Sequence, residues 1–78
     1  MSNEYKQQYK EIGLKIAYYR KLKGLSQLQL AEKIDTSRTH LSNIEASNVS
    51  ISISLDLLFR ISEALEIDTK YFFEFTNT

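Results

Sequence analysis

The sequence has no cysteine, no proline and a single histidine, His40. Without cysteine there is no disulfide framework, no thiol nucleophile and no Cys-based zinc site. One histidine cannot by itself build a structural metal site. No apolar run approaches the roughly 18 residues of a membrane span, and the polar N-terminus is unlike a signal peptide. These absences predict a cytoplasmic protein with no cofactor, no metal and no membrane association.

The groups that commonly carry out catalysis are also scarce. The sequence has no nucleophile–base pair and no carboxylate dyad at a useful spacing. Its two glycines, Gly13 and Gly24, stand apart and cannot form a phosphate-cradling loop. With these elements missing, we expect a protein that is not an enzyme and has no small-molecule substrate.

The charged residues are unevenly distributed. A chain of 78 residues has the length of one domain, so residues 1–78 are expected to form a single unit. The formal net charge is zero, but residues 1–40 carry a net charge of +4 and residues 41–78 a net charge of −4. Such asymmetry favours one positive face that could contact phosphates; ordinary solvated surface charge is the alternative.

Helical periodicity dominates the sequence and predicts an all-α fold with five helices. The first helix is expected from about Asn3, its N-cap, to Lys23, with residues 1–4 flexible. Gly13 within this helix indicates close helix packing, and Gly24 should end it in a left-handed conformation. Its buried stripe is predicted to contain Tyr9, Ile12, Ile16, Tyr19 and either Leu22 or Lys23.

The second helix has a clear start. Ser26 should cap it, and Gln29 three residues later completes a capping box. Leu28 falls on the outer side, and the helix should stop at Asp35 in a left-handed conformation, which aspartate tolerates. The inner face consists of Leu30, Ala31 and Ile34.

The third helix has an unusually polar outer face. It should follow a cap at Thr36 or Ser37 and run to about Ala46, with only Leu41 and Ile44 facing the core. Arginine can bind guanine bidentately, asparagine can bind adenine, and threonine offers a hydroxyl and a methyl group to bases. The side chains that could read bases in this way are Arg38, Thr39 and Asn43. Two helices joined by a short turn, the second presenting such groups, form the helix-turn-helix pattern.

The C-terminal part combines one more long helix with a dense aromatic segment. After a polar loop at residues 47–52, Ser54 should cap a fourth helix whose buried side contains Leu55, Leu58, Ile61, Ser62 and Leu65. Asp68 should cap a short fifth helix, in which Phe72 closes the core. Four aromatic side chains cannot all face inward here, so Tyr71, Phe73 and Phe75 are predicted to form a dimer interface within residues 68–78.

Several motifs resemble the Cro/phage-repressor-like (XRE) helix-turn-helix family over roughly residues 9–73. They are I-G-x-x-I at 12–16, K-G-L-S-Q-x-x-L-A-E-K at 23–33, T-S-R-T-H-L-S-N-I-E at 36–45 and L-F-R-I-S-E-A-L at 58–65. The ending A-L-E-I-D-x-x-x-F-F-E at 64–74 is similar to that of small stand-alone regulators, including restriction–modification controller proteins. The resemblance implies a compact, five-helix, lambda-repressor-like DNA-binding domain.

The resemblance also implies roles for individual residues. Arg20 and Glu45 match a structural charge pair between the first helix and the end of the third. Base-reading positions match Arg38, Thr39 and Asn43, and positions that contact the DNA backbone match Gln27, Ser37, His40, Ser42 and Asn48. Arg38 could instead be a solvated surface arginine, Thr39 and Asn43 ordinary polar residues of a helix, and Gln27 a residue of the capped first turn. For His40, titration or metal binding is the alternative to an exposed or phosphate-facing side chain.

Together these features predict a sequence-specific transcriptional regulator that binds double-stranded DNA. A homodimer would place two recognition helices about 34–36 Å apart in successive major grooves and would require a near-palindromic operator. The alternative is a protein-interaction module, such as an antitoxin or adaptor, in which DNA binding is secondary or absent. The zero net charge and the aromatic tail are the features that favour this alternative.

Overall fold

A computed structural model describes residues 5–46 and 51–75 of the chain. These residues form helices α1 (Lys6–Leu22), α2 (Gln27–Lys33), α3 (Arg38–Glu45) and α4 (Leu55–Leu65), followed by a 3₁₀ helix, Thr69–Phe73. The described ranges contain no β-strand, so the predicted all-α class is confirmed. Within the same ranges, no helix has the length and hydropathy needed to cross a lipid bilayer.

Helix α1 differs from the prediction at both ends. It begins at Lys6 after Tyr5, whose carbonyl oxygen accepts a hydrogen bond from the Tyr9 N–H, and the predicted N-cap, Asn3, lies outside the described residues. The predicted burial of Leu22 or Lys23 is wrong, since both are exposed, Leu22 by 65%. Position 22 lies roughly 130° around the helix from the centre of the buried face.

The predicted capping residues of the next helices are confirmed. Ser26 and Gln29 form the full capping box of α2, with hydrogen bonds of 3.0 and 2.8 Å. Ser37, rather than Thr36, caps α3 by accepting a 3.0 Å hydrogen bond from the His40 N–H. The short α2 and α3 therefore begin at fixed residues, because each cap satisfies a backbone N–H that has no partner inside its helix.

Three helices end in the same type of left-handed turn. The left-handed residues are Gly24 (φ 77°), Asp35 (φ 56°) and Glu66 (φ 57°). In each turn the next N–H donates to the carbonyl five residues earlier, which is the Schellman arrangement; the bonds are Leu25 to Arg20, Thr36 to Ala31, and Ile67 to Ser62. The left-handed Asp35 was predicted from the sequence and sets the turn between α2 and α3.

Helix α4 and the 3₁₀ helix correct two further predictions. Ser54 caps α4 as expected, but Leu55 is exposed and Leu57 is buried in its place. Position 55 lies roughly 90° from the centre of the buried face. The fifth helix is 3₁₀ and not α-helical, because Thr69–Phe73 is only five residues long and closes with a bond from the Tyr71 N–H to the Asp68 carbonyl.

The core brings all five elements together. Its largest fully buried side chains include Ile16, Leu30, Leu41, Leu58 and Phe72. Helix α1 packs so closely on α3 that a Cβ atom at Gly13 would overlap the carbonyl oxygen of Ile44. This contact confirms the prediction that Gly13 permits close helix packing, and it fixes the position of α3.

Candidate nucleic-acid interface

The outer face of α3 carries three exposed polar side chains. Arg38 and Thr39 lie in the first turn, and Asn43 lies one turn after Thr39. Within the described part of the chain, none of the three side chains makes a hydrogen bond or ion pair with another residue. Their donors and acceptors therefore face solvent, while Leu41 and Ile44 bury the opposite edge.

Three further residues expected to contact the DNA backbone flank this face. Ser37 is exposed, and its hydroxyl oxygen accepts the capping bond, which leaves its O–H free to donate. His40 and Ser42 are half-buried. Asn48, assigned a similar role from the sequence, lies outside the described residues.

A buried ion pair anchors the C-terminal end of α3. Arg20 Nε lies 2.8 Å from Glu45 Oε2, and Arg20 Nη2 lies 2.9 Å from Glu45 Oε1. The third guanidinium nitrogen, Nη1, donates to the Leu25 carbonyl oxygen at 2.7 Å. Arg20 is 6% exposed and Glu45 8% exposed, so the bidentate pair is shielded from water. It joins the end of α1 to the end of α3.

The same carboxylate also holds Gln27, a contact that sequence reasoning missed. Gln27 Nε2 donates to Glu45 Oε1 at 2.9 Å, although 18 positions separate the two residues. Gln27 is half-buried at the first position of α2. Its bond partner could not be found from local spacing, because the partner lies on a different helix.

The aromatic residues at the C-terminal end divide between core and surface. Phe72 is fully buried and packs edge-on against Tyr19, with ring centroids 6.0 Å apart. Its neighbours Tyr71 and Phe73 are 38% and 44% exposed. Phe75, expected to lie in the dimer interface, is partly buried against the core, and its ring lies 6.4 Å from that of Phe73. Tyr71 and Phe73 thus provide most of the exposed aromatic surface of this segment.

Helix α1 extends this surface, which the sequence did not indicate. Lys15 Nζ lies over the Phe75 ring at 5.7 Å, and Lys15 lines one shallow depression together with the exposed Leu14 and Tyr18. We call the exposed surface of Leu14, Tyr18, Tyr71, Phe73 and Phe75 the aromatic surface. Leu14 and Tyr18 lie one turn apart on α1, but the sequence gives no sign that their neighbours Lys15 and Tyr19 contact the C-terminal aromatic residues.

The described residues offer no evident metal site. In residues 5–46 and 51–75, no group of three histidine, cysteine, aspartate or glutamate side chains comes close enough to hold an ion. The chemistry available at α3 is therefore hydrogen bonding and charge, supplied by a guanidinium, hydroxyls, an amide and an imidazole.

Helices α2 and α3, with the left-handed Asp35 between them, form a helix-turn-helix whose second helix exposes a polar face. The model of the helix-turn-helix family HTH_3 matches residues 16–72, and the chain belongs to this family.

Named relatives fit this assignment. The chain is 44% identical over 63 residues to an uncharacterized HTH-type transcriptional regulator, RC0668, of Rickettsia conorii. The aligned residues cover 81% of this chain and 49% of the relative. It is 39% identical over 56 residues to the HTH-type transcriptional regulator SinR of Bacillus subtilis. This alignment covers 72% of this chain and 50% of SinR. The chain thus spans about half the length of the curated relatives it matches.

Proposed function

We propose that this chain is a sequence-specific DNA-binding transcriptional regulator that inserts α3 into the major groove. The observation that carries the proposal is the exposed face of Arg38, Thr39 and Asn43, whose polar groups have no partner in the described residues. An α-helix fits the major groove, and these three side chain types match the donor and acceptor patterns of base edges. Family membership and the names of the relatives support the same class of function.

Phosphate contacts would position the helix without reading sequence. Ser37, His40 and Ser42 border the exposed face of α3, and Gln27 begins α2. Each side chain has a hydroxyl, imidazole or amide group that can donate a hydrogen bond to a phosphate oxygen. In this proposal, Asn48, which follows α3 in the sequence and lies outside the described residues, contributes a further contact to the DNA backbone.

We further propose that two copies associate through the aromatic surface and bind a near-palindromic operator. Tyr71, Phe73, Tyr18 and Leu14 are each at least one-third exposed, and clustered exposed apolar side chains usually mark an interface. A twofold arrangement brings the same surface of each copy together and repeats α3 about one DNA turn away.

Selection of bound oligonucleotides from a random pool, with purified protein at stated salt, tests both parts. A twofold-symmetric consensus is expected, with half-sites about 10 base pairs apart. An asymmetric single site would contradict the dimer, and the absence of any enriched sequence would contradict sequence-specific binding.

The dimer has an independent test in sedimentation equilibrium. Phe73→Ser should weaken self-association about tenfold, because it removes a large exposed ring from the proposed interface. Phe59→Ser is the matched control, since Phe59 is exposed on α4 and is not part of the aromatic surface. Equal effects of the two changes would contradict the proposed interface.

A further inference from the structure

The side chain of Gln27 is held in one orientation by its neighbour on α3. Its Nε2 lies 2.9 Å from Glu45 Oε1, and the residue is half-buried, so it is not a freely rotating surface side chain. A carboxylate can only accept hydrogen bonds, so the NH₂ group of the amide must face Glu45. The orientation of the amide is therefore fixed by chemistry as well as by packing.

The group that holds Gln27 is itself held at several points. Glu45 Oε1 also accepts from Arg20 Nη2 at 2.9 Å, and Oε2 accepts from Arg20 Nε at 2.8 Å. Arg20 in turn is fixed by the Leu25 carbonyl, 2.7 Å from its Nη1. The ion pair is more than nine-tenths buried, so the carboxylate position is set by the scaffold.

The bond to Glu45 uses only part of the hydrogen-bonding capacity of Gln27. An amide NH₂ group has two N–H donors, and Nε2 makes one bond to another of the described residues. The second donor remains for another acceptor. Gln27 is the first residue of α2 and Glu45 the last of α3, so this donor lies where the two helices of the helix-turn-helix meet.

We propose that Glu45, fixed by Arg20, is a positioning residue that orients the Gln27 amide to donate its second N–H to a DNA phosphate. The inference rests on the proposed DNA binding and adds a role to an ion pair that otherwise only joins helices. Because the long Gln27 side chain is already ordered, less conformational entropy is lost when it meets the phosphate.

A double-mutant cycle on DNA affinity tests the coupling. Gln27→Ala should weaken binding of the selected operator about fivefold, equally for all sequences, because a phosphate contact does not read bases. The salt dependence should stay unchanged, since an uncharged amide releases no counterions. Glu45→Gln should weaken binding about fivefold in the wild-type background and less than about twofold when Gln27 is already alanine.

Gln29→Ala is the matched control. Gln29 lies on the same helix, but among the described residues its side chain oxygen bonds only to the Ser26 N–H of its own cap, so DNA affinity should change less than about twofold. If Glu45→Gln lowers DNA affinity by the same factor in the wild-type and Gln27→Ala backgrounds, Glu45 acts by holding α3 in place. That result would overturn the inference. If the wild-type protein selects no DNA, the proposed function fails and the inference fails with it.

Glu45→Gln removes one partner of a buried ion pair and could unfold the chain, so a second measurement uses the wild-type protein alone. Side-chain amide ¹⁵N relaxation should show Gln27 ordered in the free protein, in contrast to the exposed Gln8. The Gln27 signals should shift when operator DNA binds. A Gln27 amide as mobile as that of Gln8, or unaffected by DNA, would overturn the inference.

Discussion

The two exposed surfaces of this protein are built in different ways. The polar face of α3 lies on a regular α-helix of eight residues, capped by Ser37 and anchored at its last residue by Arg20. The C-terminal part of the aromatic surface, Tyr71 and Phe73, depends on a 3₁₀ helix of five residues, in which Phe72 alone is fully buried and its two neighbours are exposed.

The difference corresponds to what each kind of contact requires. Hydrogen bonds to base edges depend on distance and angle, so groups that make them need a rigid support. Apolar association is non-directional and scales with the area removed from water, so a short helix held by one buried ring is sufficient. The comparison predicts that substitutions in the residues that support each surface should have different effects on the two surfaces.

The largest expected effect comes from the ring that anchors the aromatic surface. Phe72→Ala should lower the free energy of unfolding by about 3–5 kcal/mol, because it leaves a cavity in the core against Tyr19. Phe73→Ala is the matched control and should cost less than about 1 kcal/mol, since that ring is 44% exposed. Urea denaturation followed by circular dichroism measures both, and similar losses would show that the division between core and surface is wrong.

The close packing of α1 against α3, which supports the polar face, should be almost as sensitive to substitution. Gly13→Ala adds a methyl group that overlaps the Ile44 carbonyl, so the two helices must move apart. We expect a loss of about 2–3 kcal/mol in unfolding free energy, although alanine favours a helix by about 1 kcal/mol over glycine. The reverse change one turn later, Ala17→Gly, should cost only about 1 kcal/mol. A neutral or stabilising Gly13→Ala would mean that α1 and α3 do not pack this closely.

Arg38→Ala should separate binding from stability. Because the side chain is exposed and has no partner among the described residues, the free energy of unfolding should change by less than about 0.5 kcal/mol. Operator affinity should fall by about 1–3 kcal/mol, with relaxed preference at one base position. Lys6→Ala removes an exposed charge at the first position of α1, outside both surfaces, and serves as control, with little expected change in affinity. Fluorescence anisotropy at fixed salt measures both, and unchanged binding by Arg38→Ala would refute base reading at this position.

Features of the fold that depend on neighbours in sequence could be predicted from local patterns. Of the features that depend on other helices, the close packing at Gly13 was indicated by a glycine inside a helix, and the Arg20–Glu45 pair was reached only through the family resemblance. The capping box of Ser26 and Gln29 follows from a spacing of three residues, and the left-handed Gly24 follows from its place after a helix. The exposure of Leu55 depends on how α4 rotates against the core. Helical spacing suggested the wrong side for this residue because several leucines compete for the buried face.

The residues of the candidate site also divide into those that could be predicted from the sequence and those whose contacts depend on the fold. Arg38, Thr39 and Asn43 could be chosen from the sequence because the apolar positions of one short helix leave them on the outer side. The bond between Gln27 and Glu45 spans two helices and 18 positions, so only the folded chain reveals it. The contribution of Leu14 and Tyr18 to the aromatic surface likewise depends on packing between α1 and the C-terminal residues.

The smallest expected effects concern the two turns that precede these surfaces. Asp35 precedes α3 and Glu66 precedes the 3₁₀ helix, and both have positive φ values, 56° and 57°. A left-handed conformation strains side chains, but aspartate tolerates it better than most residues, whereas glycine adopts it freely. Glu66→Gly should therefore raise the free energy of unfolding by about 0.5–1 kcal/mol, and Asp35→Gly by no more than about half as much. Thermal and urea unfolding of the two variants give the comparison directly. A larger gain at Asp35 would show that the turn inside the helix-turn-helix stores more strain than the turn before the aromatic surface.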